Sequence, residues 1–267
     1  MTSTRIHRVT VYANDLDRAA DDFAAAFAVG MTRADHPRLG VPAALSEAVS
    51  IVGRTPHSAP GPLAAVELTT PDIGAASAAL TERGLAPEHH ADGTLWVDFH
   101  GLPFVVTGPA EPVEAAGATR FGRAVLAVDD VDAAVADLAA VFGVSLQAFD
   151  VENMRIRVAL GEEGIEFIGK LDPQIDIEQL WHWPISGYAV HVDDLDAAKG
   201  RMAAAGAVLS YEFITPGGLP EVYYGRPGLH GVPITLMPEH DAGGLLASMG
   251  VDGEVGSVAP TMTPGSD

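Results

Sequence analysis

The sequence predicts an α+β fold of four βαβββ units that form two domains in tandem. One observation is an internal repeat, because Arg8–Met31 matches Arg123–Leu146 at a shift of 115 residues, 123 minus 8. A second repeat lays Ala65–Leu85 on Gly187–Ala207 at a shift of 122, 187 minus 65. The third observation is that all four segments share one pattern, an alternating strand, an aspartate and a helical apolar stripe. Such self-similarity indicates duplicated structural units.

Each unit begins with a short alternating strand and continues into a helix that starts at an aspartate. An aspartate in this position accepts the unsatisfied N–H groups of the first helical turn. The four aspartates are Asp15, Asp72, Asp130 and Asp194. Each helix is predicted to run for about four turns before short strands follow. The last strands of the four units end in EAVSIVG, LPFVVTG, GIEFIGK and VPITLMP.

The motif HGLPF at His100 recurs as HGVPI at His230. Glycine permits a tight bend, and proline can begin a strand where its missing N–H costs least. Both histidines are therefore predicted to lie in equivalent turns, away from the inner sheet face. The shift of 130 between the motifs exceeds 122 by eight residues, which we assign to an insertion at Tyr211–Glu221. The predicted domains are residues 1–115 and 116–240, and the aperiodic segment 241–267 is predicted to be a flexible tail.

Composition limits the classes of partner. The formal charge of −21 opposes binding to nucleic acid or to an anionic membrane surface. The chain has no cysteine, which excludes disulfides, thiolate catalysis and zinc-thiolate sites. No apolar run approaches the roughly 20 residues that span a bilayer, and the N-terminus does not resemble a signal peptide. We therefore expect a cytoplasmic monomer or homodimer whose partner is a small-molecule substrate or ligand.

The strand-to-helix segments VYANDLDRA and HVDDLDAA, together with GVPITL in a fourth strand, resemble the vicinal oxygen chelate superfamily. This group includes glyoxalase, methylmalonyl-CoA epimerase, extradiol dioxygenases, fosfomycin-inactivating enzymes and bleomycin-binding proteins. The resemblance covers about Arg5–Glu239. It implies that pairs of units form cup-shaped, glyoxalase-like domains with an active site inside the cup.

The resemblance also implies where metal ligands would stand, in first and fourth strands. Carried over one position at a time, the first strands offer Arg8, Ala65, Arg123 and Gly187, and the fourth strands offer Ser50, Val105, Glu166 and Thr235. Only Glu166 is a credible ligand, because arginine cannot coordinate a cation. We therefore predict no metal site and no cofactor. A one-residue slip that turns His7 inward in place of Arg8 leaves a divalent metal as the alternative.

Alternation along the strands predicts which polar residues face the two cups. The first cup would contain Arg8, Tyr12 and Glu67, which we interpret mainly as a structural ion pair beside a binding surface. The second cup would contain Arg123, Glu166 and His191. Two interpretations of this trio stay open, since it could transfer a proton on a substrate or form a buried ion pair with a hydrogen-bonded histidine.

Three further residues are candidate ligand contacts. Tyr223 lies on the strand after the insertion, Trp181 lies in WHWP, and Thr235 stands where metal-binding members have glutamate. Aromatic residues of this kind can also fix a linker to a surface. The polar surroundings of three other histidines predict that they are surface residues, namely His36, His89 and His90.

These residues predict a metal-independent isomerase, epimerase or lyase that acts on a small oxygenated molecule. Glu166 or His191 would transfer the proton, and Arg123 would stabilise an anion. The predicted substrate-binding residues are Arg8, Tyr12, Glu67, Trp181, Tyr223 and Thr235. The alternative is a non-catalytic protein that binds a small molecule, as drug-binding resistance proteins do.

Overall fold

The structure is a computed structural model. It describes residues 4–46, 49–56, 58, 61–109, 119–161, 164–172 and 185–239, with short pieces at 247, 257–258 and 261–264. None of the helices it describes is long and apolar enough to cross a membrane.

The first domain is a single sheet with two helices. Its elements are β1 (Arg5–Ala13), α1 (Leu16–Phe27), β2 (Thr32–Asp35), β3 (Pro42–Leu45), β4 (Val49–Gly53), β5 (Leu63–Thr69), α2 (Ile73–Glu82), β6 (Glu88–His89), β7 (Leu95–Phe99) and β8 (Leu102–Thr107). The eight strands lie in the order β2-β3-β4-β1-β5-β8-β7-β6. The two first strands, β1 and β5, pair antiparallel at the centre, and each pairs parallel with the fourth strand of its own unit.

The second domain repeats this arrangement. Its elements are β9 (Thr119–Ala127), α3 (Val131–Phe142), β10 (Gln147–Val151), β11 (Ile156–Leu160), β12 (Ile165–Lys170), β13 (Ile185–Val192), α4 (Leu195–Ala204), β14 (Tyr211–Ile214), β15 (Pro220–Leu229) and β16 (Val232–Pro238). With two later strands, β17 (Ser257–Val258) and β18 (Thr261–Pro264), its ten-stranded sheet has the order β17-β10-β11-β12-β9-β13-β16-β15-β14-β18. The α+β fold of four βαβββ units in two tandem halves is thus confirmed.

The two outermost strands of that sheet come from the segment predicted to be a flexible tail. They are β17 (Ser257–Val258), which pairs with β10, and β18 (Thr261–Pro264), which pairs with β14. These six residues are paired into the sheet, because both open edges of the sheet offer unpaired backbone groups that an extended chain can satisfy. The rest of 241–267, apart from residue 247, lies outside the described residues.

The four helices begin where the aspartates predicted. In every case the aspartate side chain accepts the backbone N–H three residues later, as Asp15 does from Arg18 at 3.0 Å. The helices are 10 or 12 residues long, about one turn shorter than expected. α1 ends early because Ala28 adopts a left-handed conformation with φ 53°, which directs its N–H back to Ala24.

The helices lie against one continuous hydrophobic core that contains residues of both domains. α1 contacts α4, and α2 contacts α3, so each helix of one domain packs on a helix of the other. Phe99 of the first domain lies 6.1 Å from the Phe142 ring and 6.3 Å from the Phe167 ring of the second. The opposite faces of the two sheets carry separate, smaller apolar clusters, which are the interiors of the cups.

The repeated histidines join the two domains. His100 and His230 occupy equivalent turns with positive φ angles of 52° and 56°, as the repeat predicted. His100 Nε2 lies 2.9 Å from Asp137 Oδ2 on α3, and His230 Nε2 lies 2.7 Å from Asp22 Oδ2 on α1. Asp22 and Asp137 are themselves equivalent at the shift of 115, 137 minus 22. The motif is therefore both a turn and an interdomain contact, a second role that the turn pattern alone did not predict.

Candidate functional site

The second cup brings together Arg123 and Glu166, as predicted. Arg123 lies on β9, and Glu166 lies on β12 opposite Val125, two residues further along β9. This parallel register places both side chains on the inner face, where Arg123 Nε donates to Glu166 Oε2. Both residues are 8% exposed, so the pair is held in a nearly water-free environment.

Two other residues complete the surroundings of the guanidinium. Arg123 Nη2 donates to Glu221 Oε1 at 3.5 Å, and Nη1 lies 3.3 Å from Met237 Sδ. Glu221 was missed at the sequence level. The signal was present, because Glu221 is two positions before Tyr223 on β15 and therefore shares its face.

The environment shifts the pKa values of both partners upwards. Burial raises the pKa of the Glu166 carboxyl; Arg123 opposes this shift, and the negative charge of Glu221 adds to it. Burial would lower the pKa of Arg123, but the two carboxylates outweigh burial and raise it. The arginine therefore stays charged, while Glu166 is easier to protonate than an ordinary glutamate.

A cavity of about 90 Å³ lies against this cluster. Its polar lining consists of Arg123, Glu166, Glu221 and Thr215. The remaining lining residues are apolar: Val151, Met154, Ile156, Val158, Leu160 and Phe213. A few convergent polar groups in an apolar cavity are the usual composition of a small-molecule site.

Tyr223 and Thr235 lie beside this cluster. Tyr223 is 6% exposed, its ring lies 6.1 Å from the Phe213 ring, and it pairs in register with Thr235. A Cβ at Gly187 would lie 3.4 Å from Thr235 Oγ1 and 3.3 Å from Val125 Cγ2, so Thr235 is on the same side of the sheet as Val125. Trp181 lies outside the described residues.

His191 lies further along β13 than the ion pair. Ala189 is the residue opposite Arg123, and His191 pairs with Arg120 beyond a register shift. The imidazole covers Gly122, where an added Cβ would lie 2.6 Å from Nε2. Glu221 is the second carboxyl that the structure brings to the guanidinium.

The first cup contains a different polar cluster. Arg8 Nη1 lies 3.9 Å from Glu67 Oε1, the ion pair that alternation predicted. Tyr12 packs beside a small apolar cluster on the same face, with the Arg54 guanidinium 4.9 Å from its ring centre. His7 lies at the register shift between Ile6 and Arg8, and burial followed by the charge of Arg8 lowers its pKa.

The prediction that His36 is a surface residue was wrong. His36 is 1% exposed, and its Nε2 lies 3.0 Å from Thr10 Oγ1, 3.1 Å from Ser50 Oγ and 3.4 Å from Glu67 Oε1. Its Nδ1 accepts the backbone N–H groups of Arg38 and Leu39, so Nε2 carries the hydrogen. His36 does occupy a turn, but that turn folds into the cup. His89 and His90 are exposed, as predicted.

His36 and Arg8 together keep Glu67 charged. Burial would raise the pKa of the Glu67 carboxyl, but the His36 imidazole, whose Nε2 lies 3.4 Å from Oε1, and the charge of Arg8 outweigh burial and lower it. Glu67 thus stays ionised, which is the behaviour of a structural ion. The two cups hold buried glutamates with opposite pKa shifts.

Comparisons with known proteins give the fold. No family model matches the chain, and no curated protein sequence matches it. The solved structure of 2,2',3-trihydroxybiphenyl 1,2-dioxygenase from Sphingomonas wittichii strain RW1 matches with a TM-score of 0.68 at 11% identity, over 99% of this chain and 98% of that one. A catechol 2,3-dioxygenase matches with a TM-score of 0.67 at 12% identity, over 100% and 95%. The Mn(II)-bound glyoxalase from Novosphingobium aromaticivorans matches with a TM-score of 0.59 at 15% identity, over 88% and 82%.

The chain has the vicinal oxygen chelate fold. Its two halves are the tandem glyoxalase-like domains that the sequence predicted, and the match extends over nearly the whole length of the dioxygenases. At these identities the likeness establishes architecture, and the reaction has to be inferred from the residues in the cups.

Metal-dependent members of the vicinal oxygen chelate fold hold a metal ion in the cup, but the described residues of this chain do not fit one. Within the part of the chain that the structure describes, no three His, Cys, Asp or Glu side chains are grouped so that they could hold a metal ion. In the second cup the two carboxylates instead contact the guanidinium of Arg123, a fixed cation that cannot coordinate a metal ion and would repel one.

Proposed function

We propose that the chain is an enzyme that binds a small organic molecule in the second cup and transfers a proton on it. The observation that carries this proposal is Glu166, a buried carboxyl whose pKa is raised, beside a cavity with mainly apolar walls. A general base works best when its pKa approaches the working pH, and burial of a carboxyl shifts its pKa in that direction.

Each residue of the cluster has a role in this proposal. Glu166 removes or returns the proton, and Arg123 holds the carboxylate in place through the Nε hydrogen bond. Glu221 is the second carboxyl and can accept the proton in a reversible transfer. Because the cluster moves only a proton, isomerisation and epimerisation fit directly, and elimination fits a substrate that carries its own leaving group. The proton transfer is assigned to Glu166 because its carboxyl lines the cavity, whereas His191 is not among the described residues that line it.

Solvent isotope exchange tests this proposal. A panel of small carbonyl compounds is incubated with the protein in D2O, and loss of acidic C–H signals is followed by proton NMR. Glu166→Gln should slow the exchange by about 10² to 10⁴-fold, the usual contribution of general acid–base catalysis. The matched control is Glu212→Gln, because Glu212 alternates with the cup-facing Phe213 on β14 and pairs with Lys199 of α4 instead. Unchanged exchange in a folded Glu166→Gln variant would rule out the assignment.

The alternative is a protein that binds a small molecule without changing it. One observation favours it, since three different nitrogens of Arg123 are already directed at protein acceptors. Binding of an unchanged compound that survives Glu166→Gln but is lost in Tyr223→Ala would support this function.

A further inference from the structure

The charges of the ionisable groups in the second cup do not sum to zero. Among the described residues that line the cavity, Arg123 is the one cation and Glu166 and Glu221 are two carboxyls. When both carboxyls are ionised, the cluster has an excess of one negative charge. That charge is costly where the side chains of Arg123, Glu166 and Glu221 are only 9%, 11% and 17% exposed.

The guanidinium is poorly placed to receive an anionic ligand. Its Nε, Nη1 and Nη2 point at Glu166, Met237 and Glu221. An incoming carboxylate would be a third negative charge beside one positive charge, inside an otherwise apolar cavity. Like charges at this range repel strongly where solvent screening is weak.

We propose that the ligand of the second cup is a small apolar molecule that carries one positive charge, such as a protonated amine. This inference rests on the proposed function, since it takes the second cup as the binding site. The 3.5 Å contact to Arg123 leaves Glu221 with unused acceptor capacity, so an ammonium group can donate to it. The apolar body would pack against Ile156, Leu160 and Phe213.

The charge of the whole chain acts in the same direction. At −21 the protein attracts cations and repels anions before contact. The cavity volume of about 90 Å³ suits a small apolar body, such as a five-carbon ring. Size and charge together therefore select a compact, singly charged cation.

Three probes of similar shape and different charge test the inference: cyclopentylamine, cyclopentanol and cyclopentanecarboxylate. Each is titrated into the full chain at neutral pH and physiological salt, and binding is followed through the methyl NMR signals of Val151, Ile156 and Leu160. The amine is expected to bind about ten- to hundredfold more tightly than the alcohol, the range that a hydrogen bond to a charged group supplies. The carboxylate should bind most weakly. Glu221→Gln should remove the preference for the amine. Glu212→Gln removes one negative charge from the other face of the same sheet, on β14, and should keep the preference.

The outcomes separate this inference from the proposed function. Equal or tighter binding of the alcohol or the carboxylate in the cup would overturn the cationic ligand and leave the site intact. An amine preference that persists in a folded Glu221→Gln variant would also overturn it. If none of the three probes shifts the cup signals, the second cup is not the binding site and both proposals fail.

Discussion

Glu67 and Glu166 show how one residue type acquires two behaviours in one chain. Both are buried glutamates on the inner face of a cup, and each faces an arginine. Glu67 also lies beside the imidazole of His36, which helps to lower its pKa, whereas Glu166 lies near a second carboxylate, which helps to raise it. The neighbours, rather than the burial alone, decide whether the pKa of a buried glutamate is lowered or raised.

The opposite shifts predict opposite effects of pH on the free energy of unfolding. The depressed pKa of Glu67 contributes stability above the ordinary carboxyl value of about 4.3, and this contribution is lost as the pH falls through the depressed value. The raised pKa of Glu166 makes its ionisation costly, so stability decreases as the pH rises from about 4.3 through the raised value. The free energy of unfolding of Glu67→Gln should therefore lie below that of the wild type at neutral pH and approach it as the pH falls. The free energy of unfolding of Glu166→Gln should rise relative to that of the wild type as the pH rises towards neutral.

Urea unfolding of the wild type and both variants across the acidic to neutral range measures these differences. The wild type serves as the reference at each pH, so the effects of all other groups cancel to first order. Differences that change in the same direction with pH for both variants would contradict the assigned shifts.

Period-two alternation was sufficient to predict the ion pairs at residue scale. It placed Arg8 with Glu67 and Arg123 with Glu166, because both pairs lie on neighbouring central strands. It could not predict His36, which reaches the first cup from the turn between β2 and β3. The position of a turn relative to a sheet depends on distant contacts, here those to Thr10, Ser50 and Glu67.

At the scale of elements, equivalent units differ where a helix approaches its sheet. Gly53 ends β4 and Gly169 lies near the end of β12, at equivalent positions of the first and third units. A Cβ at Gly169 would lie 2.6 Å from Val131 Cγ2 and 3.2 Å from the Val128 carbonyl oxygen, whereas one at Gly53 would meet nothing within 4 Å. The third unit therefore packs its helix start more tightly on the sheet than the first.

This difference predicts the effect of a single methyl group. Gly169→Ala should lower the free energy of unfolding by about 1–3 kcal/mol, the usual cost of overpacking. Gly53→Ala is the matched control and should change it by no more than about 0.5 kcal/mol. Chemical denaturation of the two variants gives both values, and equal effects would show that the close approach of Val131 to β12 has no energetic weight.

The order of elements was predictable because every helix start carries its own local signal, the capping aspartate. The last two strands, Ser257–Val258 and Thr261–Pro264, carry no such signal. They are strands because β10 and β14 would otherwise be the two unpaired edges of the sheet, and the two segments pair with these edges. Pairing of this kind depends on the completed domain, so a pattern within the tail itself could not indicate it.

At the scale of the whole molecule, the two domains meet through equivalent surfaces. Asp22 of the first domain contacts His230 of the second, and Asp137 of the second contacts His100 of the first. The helix contacts follow the same exchange, α1 with α4 and α2 with α3. This reciprocity is the defining property of an isologous interface, here contained within one chain. It explains why the His-Gly motif occurs in both halves, since each copy contributes one of two equivalent contacts.

The two His–Asp contacts should therefore act as independent stabilising pairs. His230→Ala, Asp22→Ala, His100→Ala and Asp137→Ala should each lower the free energy of unfolding by about 1–2 kcal/mol, because each breaks a partly buried hydrogen bond. Asp137 also contacts Arg83, so within a pair the double variant should cost about as much as the aspartate variant alone. The coupling energy within each pair is then the worth of the His–Asp contact itself, about 1–2 kcal/mol. The crossed double variant, His230→Ala with Asp137→Ala, is the control and should be additive, because its residues belong to different contacts. Urea unfolding of these variants measures the free energies of all single and double variants.

Additive effects within the pairs would show that the histidines serve only as turn residues, whereas coupling within the pairs alone would show that the repeated motif also holds the two domains together.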